Sequence, residues 1–162
     1  MNNKIYIILP YKESINQNTA GAVSLYVSEN KKYSKFKKNI KIISSENLTN
    51  YNIFTNRNYI NNFCKGFKNQ KIDIIEVHNR PEYINFIKKS FPNCKITLTF
   101  HNDPLSLRKS KNLKDRENLI NVCAKIIFIS KWIQQRFFSG LKNANYNKTN
   151  IVYHAVNIPK LK

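Results

Sequence analysis

The chain has 162 residues, 41% hydrophobic and 12% aromatic, which is enough for one domain with a real core and excludes a disordered segment. Lys and Arg number 28 against 9 Asp and Glu, a formal charge of +19 that suits phosphate groups, nucleic acid or an acidic membrane surface. The lysines are scattered among Asn and Ile rather than gathered in a block, so most of this charge reads as solvated surface, and a nucleic-acid-binding domain is the least favoured class.

In chain order, residues 4–9 (KIYIIL) are a continuous apolar run, as a buried strand requires, and Pro10 stops it. The run is too short for a signal-peptide core or a membrane span, so the expectation is a soluble cytoplasmic protein, with peripheral attachment to the inner face of the membrane left open. Residues 20–36 predict a helix with Ala22, Val23, Tyr26 and Val27 on its apolar side. Residues 40–43 (IKII) predict a second strand, and the polar, Asn-rich stretch 44–58 a long connection. Tyr59, Ile60, Phe63, Cys64 and Phe67 recur every three or four residues, the period of an amphipathic helix.

Residues 72–77 (IDIIEV) predict a strand, followed by a helix with Pro81 in its first turn, Tyr83, Ile84 and Ile87 inward, and Pro92 beyond its end. Residues 95–100 (KITLTF) predict another strand. A loop with Pro104 then leads to a helix bearing Leu119, Ile120 and Cys123. Residues 125–129 (KIIFI) predict the next strand, and Ser130 is placed to cap a helix that buries Ile133, Phe137 and Leu141, with Gly140 near its end. A short strand at 150–153 comes last, and Pro159 closes the ordered chain. Strand and helix alternate with short links, which implies right-handed crossovers: an α/β fold, a doubly wound parallel sheet in a Rossmann-like single domain. Cys64, Cys94 and Cys123 show no C-x-x-C pair and no neighbouring His at ligand spacing, so they read as reduced core thiols.

Ligands of open α/β sheets sit beyond the carboxyl ends of the strands. All three histidines of the chain, His78, His101 and His154, fall at or just past predicted strand ends. A lone His is more often structural, but three on one edge point to a shared site. Imidazole there donates to a sugar hydroxyl or phosphate oxygen and shares a proton near neutral pH, and Asn adds a donor and an acceptor. Gly21 precedes a helix, a weak phosphate-site signal. One glycine in place of three argues against a nicotinamide-binding fingerprint, and neither a Walker A pattern, a G-x-S-x-G elbow nor a metal cluster appears. Ser130 reads as a cap before it reads as a nucleophile, and Arg80 and Asp103 are equally suited to local loop contacts.

The ordered set IIEVHNRP (74–81), LTFHNDP (98–104) and IFISKWI (127–133) resembles the N-terminal domain of family 4 glycosyltransferases, which have the two-domain GT-B fold. The resemblance covers nearly the whole chain: residues 1–158 would be the acceptor-side domain and 159–162 the start of a linker. It implies transfer of a sugar, with retention at the anomeric carbon, from a nucleotide-sugar co-substrate to a glycan or lipid-linked acceptor, without a metal or other cofactor. Such chemistry belongs to lipopolysaccharide or other cell-envelope biosynthesis. By the same resemblance Thr19, Ala20, Gly21 and Ala22 form the donor-binding loop and His101 is the catalytic-site residue. His78, Asn79, Arg80, Asn102, Asp103, Ser130 and Lys131 line the acceptor side. His154 stands where the family usually has Asn, at the approach to the hinge. The family holds its donor chiefly with a second Rossmann-like domain. The resemblance therefore implies either a donor-binding domain supplied by another chain or a non-catalytic module that binds an acceptor or a membrane surface.

Overall fold

A computed structural model of the chain describes residues 3–16, 20–48, 55–142 and 146–154. The β-branched runs form six strands: β1 (Ile5–Ile8), β2 (Ile40–Ile43), β3 (Ile74–His78), β4 (Lys95–Phe100), β5 (Lys125–Phe128) and β6 (Thr149–Ile151). Between them lie α1 (Ala22–Tyr33), α2 (Asn56–Gly66), α3 (Ile84–Ser90), α4 (Leu113–Val122) and α5 (Lys131–Phe138). All neighbouring strands are parallel, in the order β2-β1-β3-β4-β5-β6. The direction of winding reverses between β1 and β3, so a crevice opens there at the carboxyl edge of the sheet.

Right-handed crossovers put α1 on one face and α2 to α5 on the other. The second group covers a continuous core in which Ile8, Val77, Leu98 and Phe128 meet Phe63, Ile87, Leu119 and Phe137. Phe100 and Phe128 stack at 5.8 Å, and Phe137 closes on them at 5.4 and 5.3 Å. The opposite face is continuously apolar over β1 and β2, where Ile5, Ile7, Ile40 and Ile42 pack against Val23 and Val27 of α1. Across β3 to β6 that face instead carries Glu76 beside Thr97, then Thr99 beside Ile127 beside Asn150.

Several boundaries differ from the sequence reading. The expected helix 20–36 is trimmed to Ala22–Tyr33, between Gly21 and Ser34 in extended conformations. The stretch 44–58 is not all connection: it holds a 3-10 turn, Ser45–Leu48, and α2 begins at Asn56 because Thr55 caps it, accepting from the Asn58 amide at 3.1 Å. Residues 49–54 lie outside the described part. Pro81 opens a separate 3-10 turn, Pro81–Tyr83, ahead of α3, since a proline without an N–H fits a first turn of either kind. The last strand starts one residue earlier than expected and ends at Ile151, while Pro159 and the expected linker 159–162 lie outside the described residues.

Ser130 caps α5 as expected, its Oγ accepting from Ile133 N at 3.2 Å. The three cysteines are buried free thiols, with Cys94 raised to about 11 and Cys123 to about 12, chiefly by burial. No helix among the described residues is long and apolar enough to cross a membrane.

Candidate functional site

At the carboxyl edge, the ends of β1, β3, β4, β5 and β6 and the start of α1 enclose an open cleft of about 490 Å³. Its walls include Glu13, Gly21, Asn79, Arg80, His101 and His154. Asn79 and Arg80 follow β3 and the others arrive on different strand ends or the start of α1, so the parallel sheet itself brings residues far apart in sequence into one site.

Asn79 organises the middle of the cleft. It takes a left-handed backbone (φ 51°), which Asn tolerates better than most residues, and turns the chain sharply out of β3. Its amide donates to Thr99 O at 2.9 Å, and its Oδ1 accepts from the amides of His101 at 2.7 Å and Asn102 at 3.2 Å. The side chain thus ties the end of β3 to the end of β4 and fixes where His101 points.

From the cleft wall inward the three histidines form a row, with His154 and His101 on the wall and His78 buried behind it. His78 Nδ1 meets His101 Nε2 at 2.8 Å, and His101 Nδ1 meets His154 Nε2 at 3.2 Å. At the inner end Glu76 Oε1 lies 3.1 Å from His78 Nε2, close enough for an ion pair but poorly aligned for a hydrogen bond. Thr99 Oγ1 donates to the same carboxylate oxygen at 3.2 Å. Burial raises the Glu76 carboxyl, but the His78 ring, then Thr99 and His101, outweigh it and hold the group below the usual carboxylate range. Tyr26 of α1 stacks on His154 at 4.3 Å and meets His101 edge-on at 5.0 Å, closing the side of the row.

The ionised carboxylate sets the direction of the row. The tautomer of His78 that carries its proton on Nε2, the side facing Glu76, leaves Nδ1 to accept from His101 Nε2–H, and His101 Nδ1 to accept from His154 Nε2–H. In this arrangement His78 Nε2, facing Glu76, and His154 Nδ1, at the cleft end, are the two ring nitrogens that no other histidine uses. Burial, followed by the neighbouring His78 and His154, pushes His101 down to about 3, against the pull of Glu76. His154 is lowered as well, by burial and by His78. The row is a line rather than a ring, and among the described residues no cluster of His, Cys, Asp or Glu is arranged to hold a metal ion.

The expected donor loop is only partly visible, since Thr19 lies outside the described residues. Gly21 and Ala22 line the cleft, whereas Ala20 does not. The start of α1, where a phosphate was expected, is held by Glu13: its Oε2 accepts from Ser24 N at 3.1 Å and Ser24 Oγ at 2.8 Å. A Cβ at position 21 would collide with that carboxylate, so Gly21 is there for close approach, not for an unusual φ.

Arg80 and Asn102 line the cleft, and His78 is buried just behind it. Asp103 is turned elsewhere: it caps the 3-10 turn Pro104–Ser106 through Leu105 N and pairs with Arg136 at 2.9 Å, which holds its carboxyl below the usual range. Ser130 serves as the α5 cap, and Lys131 is an exposed first residue of that helix; neither lines the cleft.

Three contributors carried no site signal in the sequence. Glu76 sits inside an apolar strand run, Tyr26 on a helix side read as core, and Glu13 in a loop without a motif. His154, by contrast, was expected on the same edge as His78 and His101 from its place past the last strand, and the structure puts it against His101.

No family model matches the chain. Over 86 residues it is 35% identical to "Putative glycosyltransferase YtcC" of Bacillus subtilis strain 168, an overlap covering 53% of this chain and 21% of that protein. Over 91 residues it is 30% identical to spore coat protein SA of the same organism, covering 56% of this chain and 24% of that protein. The matched part thus spans less than a quarter of either curated relative's length. Among solved structures the Salmonella typhimurium RcsB response regulator aligns with a TM-score of 0.43 at 12% identity, over 85% of this chain and 55% of that one, too loosely to carry an argument.

Proposed function

We propose that the chain is a glycosyltransferase-type domain, the acceptor-side half of a family 4 enzyme with the GT-B arrangement. The similarity to a protein named a glycosyltransferase supports the general reading. The single observation that carries the finer one is the imidazole row ending in the cleft at the β1/β3 reversal. In this reading a nucleotide sugar supplies the donor, a glycan or lipid-linked hydroxyl is the acceptor, and the nucleoside diphosphate departs. The acceptor oxygen bonds to the anomeric carbon with retention while the bond to the departing phosphate breaks.

The acceptor's proton must leave during that step, and the row is suited to take it. His154 Nδ1 accepts the proton, and transfers along His101 and His78 move the positive charge toward Glu76, where a carboxylate stabilises it. His101 is the centre of this path, because both of its ring nitrogens are engaged. Asn79 positions it. No metal enters the reading. The second wall of the reaction cleft, holding the nucleotide, would come from a donor-binding domain elsewhere.

The test is sugar transfer from UDP- and GDP-sugars to glycan and lipid-linked acceptors, with and without a separately supplied donor-binding domain. Transfer is expected in the paired setting, with His101→Asn lowering it by roughly 100-fold or more. Folded protein that transfers no sugar in either setting sinks the catalytic reading.

A further inference from the structure

A second cleft, of about 550 Å³, adjoins the first and shares Arg80 with it. It lies between the start of α2, the turn Pro81–Tyr83 with α3, and the loop after Pro104–Ser106. Its floor is apolar, from Ile60, Phe86 and Leu107, while Arg57, Arg80 and Arg108 supply its charge. Glu82 is the one carboxylate on its walls, and burial raises that carboxyl against the opposing pull of Arg80 and Arg108. Lys109 turns to Asp115 at 3.7 Å, but no ion pair holds Arg57, Arg80 or Arg108 among the described residues. The Arg80 guanidinium donates through Nη1 to Asn79 O at 3.0 Å, and its buried Nε has no hydrogen-bond partner. A buried, charged donor such as Arg80 Nε left without a partner is costly, and three guanidinium groups without an ion pair over an apolar floor match a ligand that is anionic at one end and apolar at the other.

We propose that this second cleft binds a phosphate or diphosphate carried on an apolar body, with the three arginines on the phosphate oxygens and Phe86 and Leu107 against the apolar part. Its role as the acceptor's anchor rests on the sugar-transfer reading, since Arg80 then marks the border between the anchored phosphate and the hydroxyl in the neighbouring cleft. Binding itself does not depend on that reading.

The probe is phenyl phosphate, titrated into the 15N-labelled full chain, with inorganic phosphate and phenol as controls. Saturable shifts are expected at Arg80 Nε–H and at the Phe86 and Leu107 amides, with phenyl phosphate at least tenfold tighter than either control. The paired exposed-site substitution Arg57→Gln/Arg108→Gln is expected to weaken it at least tenfold, and His101→Asn to leave it unchanged. Shifts scattered over surface lysines, shifts confined to the first cleft, or an unaffected double variant would each overturn the proposal.

Competition then separates the sources. Displacement by geranyl diphosphate marks a lipid-linked acceptor, displacement by glucose 1-phosphate a soluble sugar phosphate, and displacement by neither counts against the cleft. Transfer failing while phenyl phosphate binds removes only the catalytic reading. Binding failing while transfer proceeds removes only this one.

Discussion

The two faces of the sheet are built differently. Under α2 to α5 the side chains are dry and apolar, with Leu98, Phe100, Ile126 and Phe128 fully buried. On the other face, past the shelter of α1, β3 to β6 carry a carboxylate, two threonines and an asparagine on the same rungs. The covered face holds the fold together, and the open half-face makes room for ionised chemistry within a strand. Glu76, 26% exposed beside the wholly buried Val77, keeps its charge because His78, Thr99 and His101 outweigh the cost of its burial.

The largest expected effect tests this asymmetry directly. Phe128→Ala opens a cavity in the covered core and should cost about 3–5 kcal/mol in denaturant unfolding. Ile127→Ala, one residue away but on the open face, should cost about 1 kcal/mol or less. Equal losses would mean that the faces are not distinct. Next is Asn79→Ala, which forces alanine into a left-handed conformation and strips two amides of their acceptor, for a loss of roughly 1–3 kcal/mol. Asn79→Gly relieves the backbone part alone, so a full recovery in that variant would refute the clamp.

The pH dependence, read as a change of slope, gives the most specific effect. The folded chain holds His101 near 3 and Glu76 below its usual value, so between about pH 6.5 and 3 the unfolded chain binds more protons. Stability should therefore fall as pH drops through that window, by at most about 1.4 kcal/mol per pH unit for each such proton. The upper part of the fall, above pH 5, belongs to His101 and His154 and should be shallower in His101→Asn. An unchanged slope there would mean that the ring is not held neutral by its surroundings.

Much of the fold was legible because each strand is a short β-branched run and each crossover helix shows its own period, so 40–43 and 95–100 match β2 and β4 residue for residue. The edge on which the histidines fall was legible for the same reason, since strand ends are where an apolar run stops. What joins them was not. Glu76 lies between Ile75 and Val77, and an apolar run carries no mark of which face a single polar residue will take until the register is known. Asp103 was read toward the site from its neighbours, yet its partner Arg136 is 33 residues away, a distance no local pattern spans. Arg57, Arg80 and Arg108 likewise meet only after α2, α3 and the loop beyond β4 have folded together.

The bonds from Asn79 into the loop after β4 also bear on how this scaffold can be altered. Two neighbouring connections share one anchor, so they behave as a single heritable unit. A graft that exchanges the loop after β4 but leaves position 79 to a residue other than Asn strands the His101 and Asn102 amides. Loop libraries built on this sheet should therefore vary the segments following β3 and β4 together, whereas the turn leaving β5, anchored by its own Ser130 cap, can be exchanged independently.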